Sequence, residues 1–182
     1  MGRPLIQARP DALMQTLATG GLLLEPLVAA HAGAMFEVLR DPELYRYLDE
    51  PAPPSVDHLR QRYARLEARV SPDGSQVWLN WVVRRPDRPP LGYVQATVML
   101  NRTAWVGYVF SARHRGRGYA TQACRAMLEH LESAYGVQRF LASVEAANLP
   151  SIRLLDRLGF HAASGQELEA HELSLTERLF VR

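Results

Sequence analysis

Cysteine is almost missing from this chain. Cys124 is the single one in 182 residues, which rules out an internal disulfide framework and fits a reducing compartment. It falls on the apolar face of a candidate helix, the place of a buried structural thiol and not of a nucleophile. Long apolar runs are missing too. The richest, Leu22-Leu23-Leu24, meets Glu25 and Pro26 and is far too short to span a bilayer. Asp11 and Gln15 interrupt the apolar residues of the N-terminal stretch, so it does not read as a signal peptide. Ile6 stands where myristoylation of Gly2 needs Ser or Thr. A soluble cytoplasmic protein is the expectation. An excess of one charge is also lacking: the net charge is +2 and the arginines are spread along the chain, so neither a nucleic-acid nor a membrane partner is expected. The histidines lack metal-ligand spacing, and no metal is expected. Repeats, low-complexity segments and signs of a second domain are absent from the sequence.

What is present is 47% apolar and 22% charged residues, the balance of a globular protein, in a chain long enough for one sizeable core. The chain is organised around residues 106–135. Val106, Tyr108, Val109 and Phe110 read as a strand. Ala120, Ala123, Cys124, Met127, Leu128, Leu131 and Tyr135 recur at three and four and read as one face of a helix stopped by Gly136. Between them lies Arg113-His114-Arg115-Gly116-Arg117-Gly118. Two glycines there allow a sharp turn that brings amides close to a ligand. The helix behind them adds unpaired N–H groups and the positive end of its dipole. The result is a seat for phosphate oxygens, with Arg113, Arg115 and Arg117 supplying cations. A P-loop is excluded because no Lys-Ser or Lys-Thr follows the glycines; a dinucleotide fingerprint is a weak match, because Gly116-x-Gly118 lacks the third glycine and no acidic residue ends a second parallel strand in the right place.

Along the chain, residues 1–21 read as a loose arm, carrying Pro4, Pro10 and Gly20-Gly21, and residues 22–182 as one domain. A first strand is expected at 22–24, a helix over 28–40 ended by Asp41-Pro42, and a second helix capped by Ser55 with Leu59, Tyr63, Leu66 and Val70 on its face. Strands follow at 77–84, 91–100 and 106–110, joined by short turns as an antiparallel meander. A strand at 139–145 comes after a crossover helix and so lies parallel to the one at 106–110. Asn148 and Pro150 open another helix, ended by Gly159, and a last strand is expected within 173–181.

Arg113-x-x-Gly116-x-Gly118 between a strand and a helix resembles the coenzyme A pyrophosphate loop of the GNAT superfamily of N-acetyltransferases. Asn148-x-x-Ser151 followed by Leu158-Gly159-Phe160 resembles that family's second landmark, at the right distance. Gly107-Tyr108 and Gly118-Tyr119-Ala120-Thr121 are similar to the branch that acetylates the N-termini of ribosomal proteins. The resemblance implies an α/β fold, a mixed and mostly antiparallel sheet with helices on both faces and a parallel, splayed pair at its fourth and fifth strands. It implies acetyl-CoA as donor substrate. The pantetheine arm is expected against the backbone of Tyr108, Val109 and Phe110, the pyrophosphate on the amides of Arg115, Gly116, Arg117, Gly118, Tyr119 and Ala120, and Asn148 on the arm.

Acetyl transfer from a thioester to an amine needs a neutral amine, a donor for the oxyanion and a proton for the thiolate. Many family members place a tyrosine four residues before the Gly of Leu-Gly-Phe as that acid, where this chain has Leu155. Ser151 is the replacement, by resemblance to the ribosomal branch. Glu145, ending its strand, is the candidate base, directly or through water. Tyr108 is a candidate to orient the acceptor, and His114 is expected to face solvent. The acceptor, a protein N-terminus or a small amine, is expected against 44–54, 77–83 and 165–175, with Tyr45, Tyr47, Asp49 and Glu50 as candidates for a cationic amine. Of Trp78 and Trp81, on opposite faces, only one can line a pocket. The missing tyrosine leaves a second reading, a silent acyl-CoA-binding sensor, and monomer and homodimer both stay open.

Overall fold

The computed structural model describes residues 14–48, 50–169, 171 and 173–182. Eight strands form one sheet in the order β1-β2-β3-β4-β5-β6-β8-β7. They are β1 (Leu17–Thr19), β2 (Leu22–Pro26), β3 (Gln76–Arg84), β4 (Pro90–Met99), β5 (Thr103–Phe110), β6 (Arg139–Glu145), β7 (His161–Ala162) and β8 (Glu177–Val181). The helices are α1 (Ala32–Leu39), α2 (Val56–Leu66), α3 (Tyr119–Tyr135), α4 (Leu149–Arg157) and α5 (Gln166–Glu169). Every pairing is antiparallel except β5 with β6.

The expected arm begins folding earlier than residue 22. Leu17–Thr19 pairs with Leu22–Leu24 across the Gly20-Gly21 turn, where both glycines have positive φ and so close a tight hairpin. This added strand shifts the count by one, and the parallel pair expected as the fourth and fifth strands is β5 and β6. The last strand starts at Glu177 rather than within 173–176.

Alternation along β3 divides the core. Val77, Leu79, Trp81 and Val83 face α3, in a cluster with Ala123, Met127, Leu128 and Leu131. Val82 faces the other way, toward Met35, Leu39, Leu59 and Tyr63 of α1 and α2. Helices therefore cover both sheet faces. Trp81 is fully buried, its ring edge-on to His130 and its indole N–H donating to the Gln15 carbonyl at 3.0 Å, while Trp78 donates to Gln76 at 2.9 Å. Cys124 is buried on the core face of α3 and its thiol is pushed up by desolvation. Burying each large aliphatic side chain contributes about 1.5–3 kcal/mol.

The helix ends follow local chemistry. The Ser55 hydroxyl accepts from the His58 amide at 3.1 Å and starts α2. Gly136, at φ 63°, ends α3 in the left-handed region that favours glycine. Asn148 accepts from the Ser151 amide at 3.2 Å, with Pro150 in the first turn of α4. Among the described residues, no helix is long and apolar enough to cross a membrane.

Candidate active site

β5 and β6 pair only at Thr103↔Arg139, Ala104↔Phe140 and Trp105↔Leu141. Past that point β6 keeps β8 as its partner as far as Glu145. The β5 edge from Val106 to Phe110 is left without a paired strand among the described residues. Such an edge offers N–H and C=O groups to an extended ligand. The open side of β5 forms one wall of a groove of about 800 Å³, open to solvent, whose walls include Tyr108, Val109, Phe110, Gly116, Gly118, Asn148 and Ser151.

At the end of β5 the Ser111 amide donates to the Leu91 carbonyl at 2.8 Å. β4 comes very close here: a Cβ on Gly92 would lie 2.0 Å from the Val109 carbonyl oxygen. One 3-10 turn, Ala112–His114, leads into the glycines. Gly116 and Gly118 sit at φ 75° and 76°, and a Cβ on either would project into open space. Gly118 is the N-cap of α3, no side chain caps that end, and no acidic residue occupies its first turn. Orphan amides and the helix dipole therefore meet the groove without competition from the chain. Tyr119, Ala120 and Thr121 complete this wall.

The cations differ from the expected set. Arg115 lies in the wall, its guanidinium 3.3 Å from Glu43. Arg113 and Arg117 are exposed and do not line the groove. Arg46, Arg153 and Arg157 do line it, and sequence reading missed all three. The signal for two of them was available: Arg153 and Arg157, four apart on α4, share a helix face. His114 is half-buried in the wall rather than turned to solvent, with its Nδ1 buried and unpartnered. Desolvation, followed by the nearby Arg117, Arg85 and Arg113, holds its imidazole below the usual range.

Tyr108 and Ser151 meet across the splay. The phenol donates to the Ser151 Oγ at 3.0 Å and approaches the Ser151 carbonyl at 3.3 Å. Burial pushes the Tyr108 phenol well up, with the Ser151 hydrogen bond opposing. It therefore stays protonated and stays a donor. The Asn148 cap fixes the first turn of α4, and with it the place of Ser151.

Glu145 is not brought into the groove wall. It ends β6, where its Oε1 accepts from the Thr176 hydroxyl at 2.9 Å, so direct contact with an acceptor in the groove is not seen. Of the expected acceptor elements, residues Glu43 to Leu48 do border the groove, on a 3-10 segment (Pro42–Tyr47) that includes Tyr47. Tyr45 turns inward instead, donating to the Leu39 carbonyl at 2.6 Å. Asp49 lies outside the described residues. The 165–175 segment, with α5, lines no part of the groove among its described residues.

A sheet splayed at one parallel pair, with an uncapped helix end beside the splay, is the architecture of an acyl-CoA-dependent transferase fold. The family model described as an acetyltransferase (GNAT) domain matches residues 21–161, and the chain belongs to this family: it is an N-acetyltransferase. An uncharacterised N-acetyltransferase p20 of Bacillus licheniformis is 25% identical over 176 residues, 91% of this chain and 98% of that protein. Two solved structures share the fold. RimL, a ribosomal L7/L12 α-N-protein acetyltransferase in complex with coenzyme A, has a TM-score of 0.76 at 16% identity, over 92% of this chain and 97% of its own. The spermidine N-acetyltransferase of Vibrio cholerae, in complex with CoA and spermine, has a TM-score of 0.71 at 16% identity, over 89% and 95%.

Proposed function

We propose that this chain binds acetyl-CoA in the β5–β6 splay and transfers the acetyl group directly to a primary amine in a ternary complex. The observation that carries this reading is the coincidence of an unpaired β5 edge with the uncapped N-terminus of α3 in one groove. The pantetheine amides would add to the backbone of Tyr108, Val109 and Phe110 as a strand does. The pyrophosphate would rest on the amides of residues 115–120, with Arg115, Arg153 and Arg157 neutralising phosphate charge. Asn148, at the start of α4, would meet the arm.

The amine, entering neutral, attacks the thioester carbonyl carbon. The C–S bond breaks and the amine nitrogen gives up one proton as the departing sulfur gains one. Ser151 is the acid: its Oγ accepts from Tyr108, so its own hydrogen is free to go to the thiolate. The Tyr108 hydrogen bond stabilises the negative charge that Ser151 takes on. Glu145 takes the amine's proton through water, since it does not reach the groove itself. Holding donor and acceptor together supplies much of the rate, and no covalent enzyme intermediate is required.

The test is thiol release from acetyl-CoA with an accepting amine. Ser151→Ala should lower kcat about 100-fold, the low end of general-acid effects, while the acetyl-CoA dissociation constant stays within about twofold. Tyr108→Phe should lower kcat about tenfold through the lost hydrogen bond, again sparing acetyl-CoA affinity. Unchanged kcat in Ser151→Ala would remove the serine from the chemistry.

A further inference from the structure

The sheet face opposite α3 has a gap in its cover among the described residues. Val82, Tyr93 and Val109 stand in register across β3, β4 and β5 and pack against α1 and α2. Toward the other edge, Leu141, Leu179 and Val181 pack against Ala163 and Leu173. Between these covers lies the row Asn80, Gln95 and Gly107, again in register. β4 is an interior strand, yet Gln95 is exposed, and so is Ser143 of β6 on the same face. Trp78, Thr97 and Trp105 form the next row, about 7 Å along the strands, and all three are half-buried.

The Gln95 side chain leans over Gly107. A Cβ on Gly107 would lie 3.1 Å from the Gln95 Nε2 and 3.3 Å from its Cγ. Gly107 belongs to the stretch of β5 left unpaired beside the donor groove, so the Gln95 carboxamide sits at the inner end of the splay. Asn80, its partner on β3, is 7% exposed. Neither carboxamide hydrogen-bonds to a described residue. Two neighbouring amides in mid-sheet are thus left for an outside partner. The space between this row and α2 is about 30 Å³, room for a single water, so that partner lies on the open side of the row. The floor of the gap carries no charge, and Glu50 beside it is held by Arg62 at 3.0 Å.

Resting on the acetyltransferase reading above, we infer that this gap receives the first residues of an extended polypeptide as the amine acceptor, and that Gln95 is the residue that selects it. A carboxamide both accepts an N–H and donates to a C=O. A peptide group offers that complementary pair, and a simple amine does not. The amine end lies between Gln95 and Glu145, which ends β6 on the same face. The chain then runs outward over the row of Trp78 and Trp105. A site built to form such hydrogen bonds discriminates against the analogue lacking them.

The experiment is thiol release from acetyl-CoA with tetra-alanine amide, isopropylamine or spermidine as acceptor, in wild type and in Gln95→Leu, preceded by calorimetric titration of CoA into both proteins. In Gln95→Leu, kcat/KM for the peptide should fall at least about tenfold through the lost hydrogen bonds. CoA affinity should stay within about twofold, which also shows that the variant is folded. Turnover of isopropylamine, an amine without a peptide group, should be weak and the same in both proteins. In wild type the peptide should have a higher kcat/KM than spermidine. Peptide turnover unaffected by Gln95→Leu, an equal loss with isopropylamine, or a higher kcat/KM for spermidine would each overturn the inference. The CoA titration separates the two levels of failure. CoA bound without acetylation of the peptide removes this inference alone, and no CoA binding to wild type removes the acetyl-CoA reading with it.

Discussion

Burying a hydroxyl without a partner costs about 1–3 kcal/mol, and Tyr63 does so in the ligand-free protein. Tyr63→Phe should therefore stabilise the free protein by about 1 kcal/mol, seen as a thermal midpoint some 2–4 °C higher. A lower midpoint would mean that the hydroxyl has a partner in solution. The residue scale is also where sequence reading stopped short. Ser151 and Tyr108 were both legible as residues of interest, but their 3.0 Å contact joins positions 43 apart. No periodicity within a strand or a helix reports a bond between the two. Arg113 and Arg117 illustrate the converse: their spacing marks a basic loop, yet their side chains stay outside the groove that Arg46, Arg153 and Arg157 enter.

At the level of elements, α4 does two things with one cap. The Asn148 side chain satisfies the Ser151 amide, and in doing so it holds the hydroxyl of Ser151 against Tyr108. Asn148→Ala should cost about 1 kcal/mol of stability and lower kcat as well, measured by chemical denaturation and by thiol release. Loss of stability with kcat unchanged would show that the cap does not position the acid. Elements were the most readable part of the chain. The 3.6-residue repeat of α3, the Ser55 and Asn148 caps and the Gly136 stop are local signals, and each element stands close to where they put it. β1 was missed because its residues Leu17–Thr19 form only three positions of strand, too few to show alternation. Their stability comes from pairing with β2.

At the scale of the molecule, stability depends on pH through His31 and Glu25. His31 stands at the start of α1 and accepts a hydrogen bond on Nδ1 from the Val28 amide at 3.1 Å, which requires the neutral ring. Desolvation holds its imidazole below the usual value of 6.5, outweighing the pull of Glu25; Arg84 pushes the same way as burial, and Glu67 opposes it. The unfolded chain then takes the proton first, so stability is intact above pH 6.5 and declines as pH falls through the folded value. Glu25 adds a second loss at lower pH. Two hydrogen bonds from Arg84, at 2.8 and 2.6 Å, hold its carboxyl below the usual value of 4.5. The urea midpoint should fall between pH 7.5 and 5.5, and His31→Gln should flatten that decline. A midpoint independent of pH over this range would contradict the assignment.

Whole-molecule topology was legible because helix, strand and helix must fit between the two motifs, and a crossover helix makes β5 and β6 parallel. The extent of the splay was not legible, since it depends on where β6 leaves β5 for β8. That splay is the central claim, and calorimetric titration of acetyl-CoA and CoA into wild type and Gly118→Glu tests it most directly. At φ 76° and with open space where its Cβ would point, Gly118 leaves the phosphate seat clear. Glutamate there adds both bulk and negative charge. Binding to wild type and a loss of at least 100-fold in Gly118→Glu, with the variant still showing a cooperative thermal transition, is the predicted result. Equal binding to both proteins, or no binding to wild type, would contradict the account.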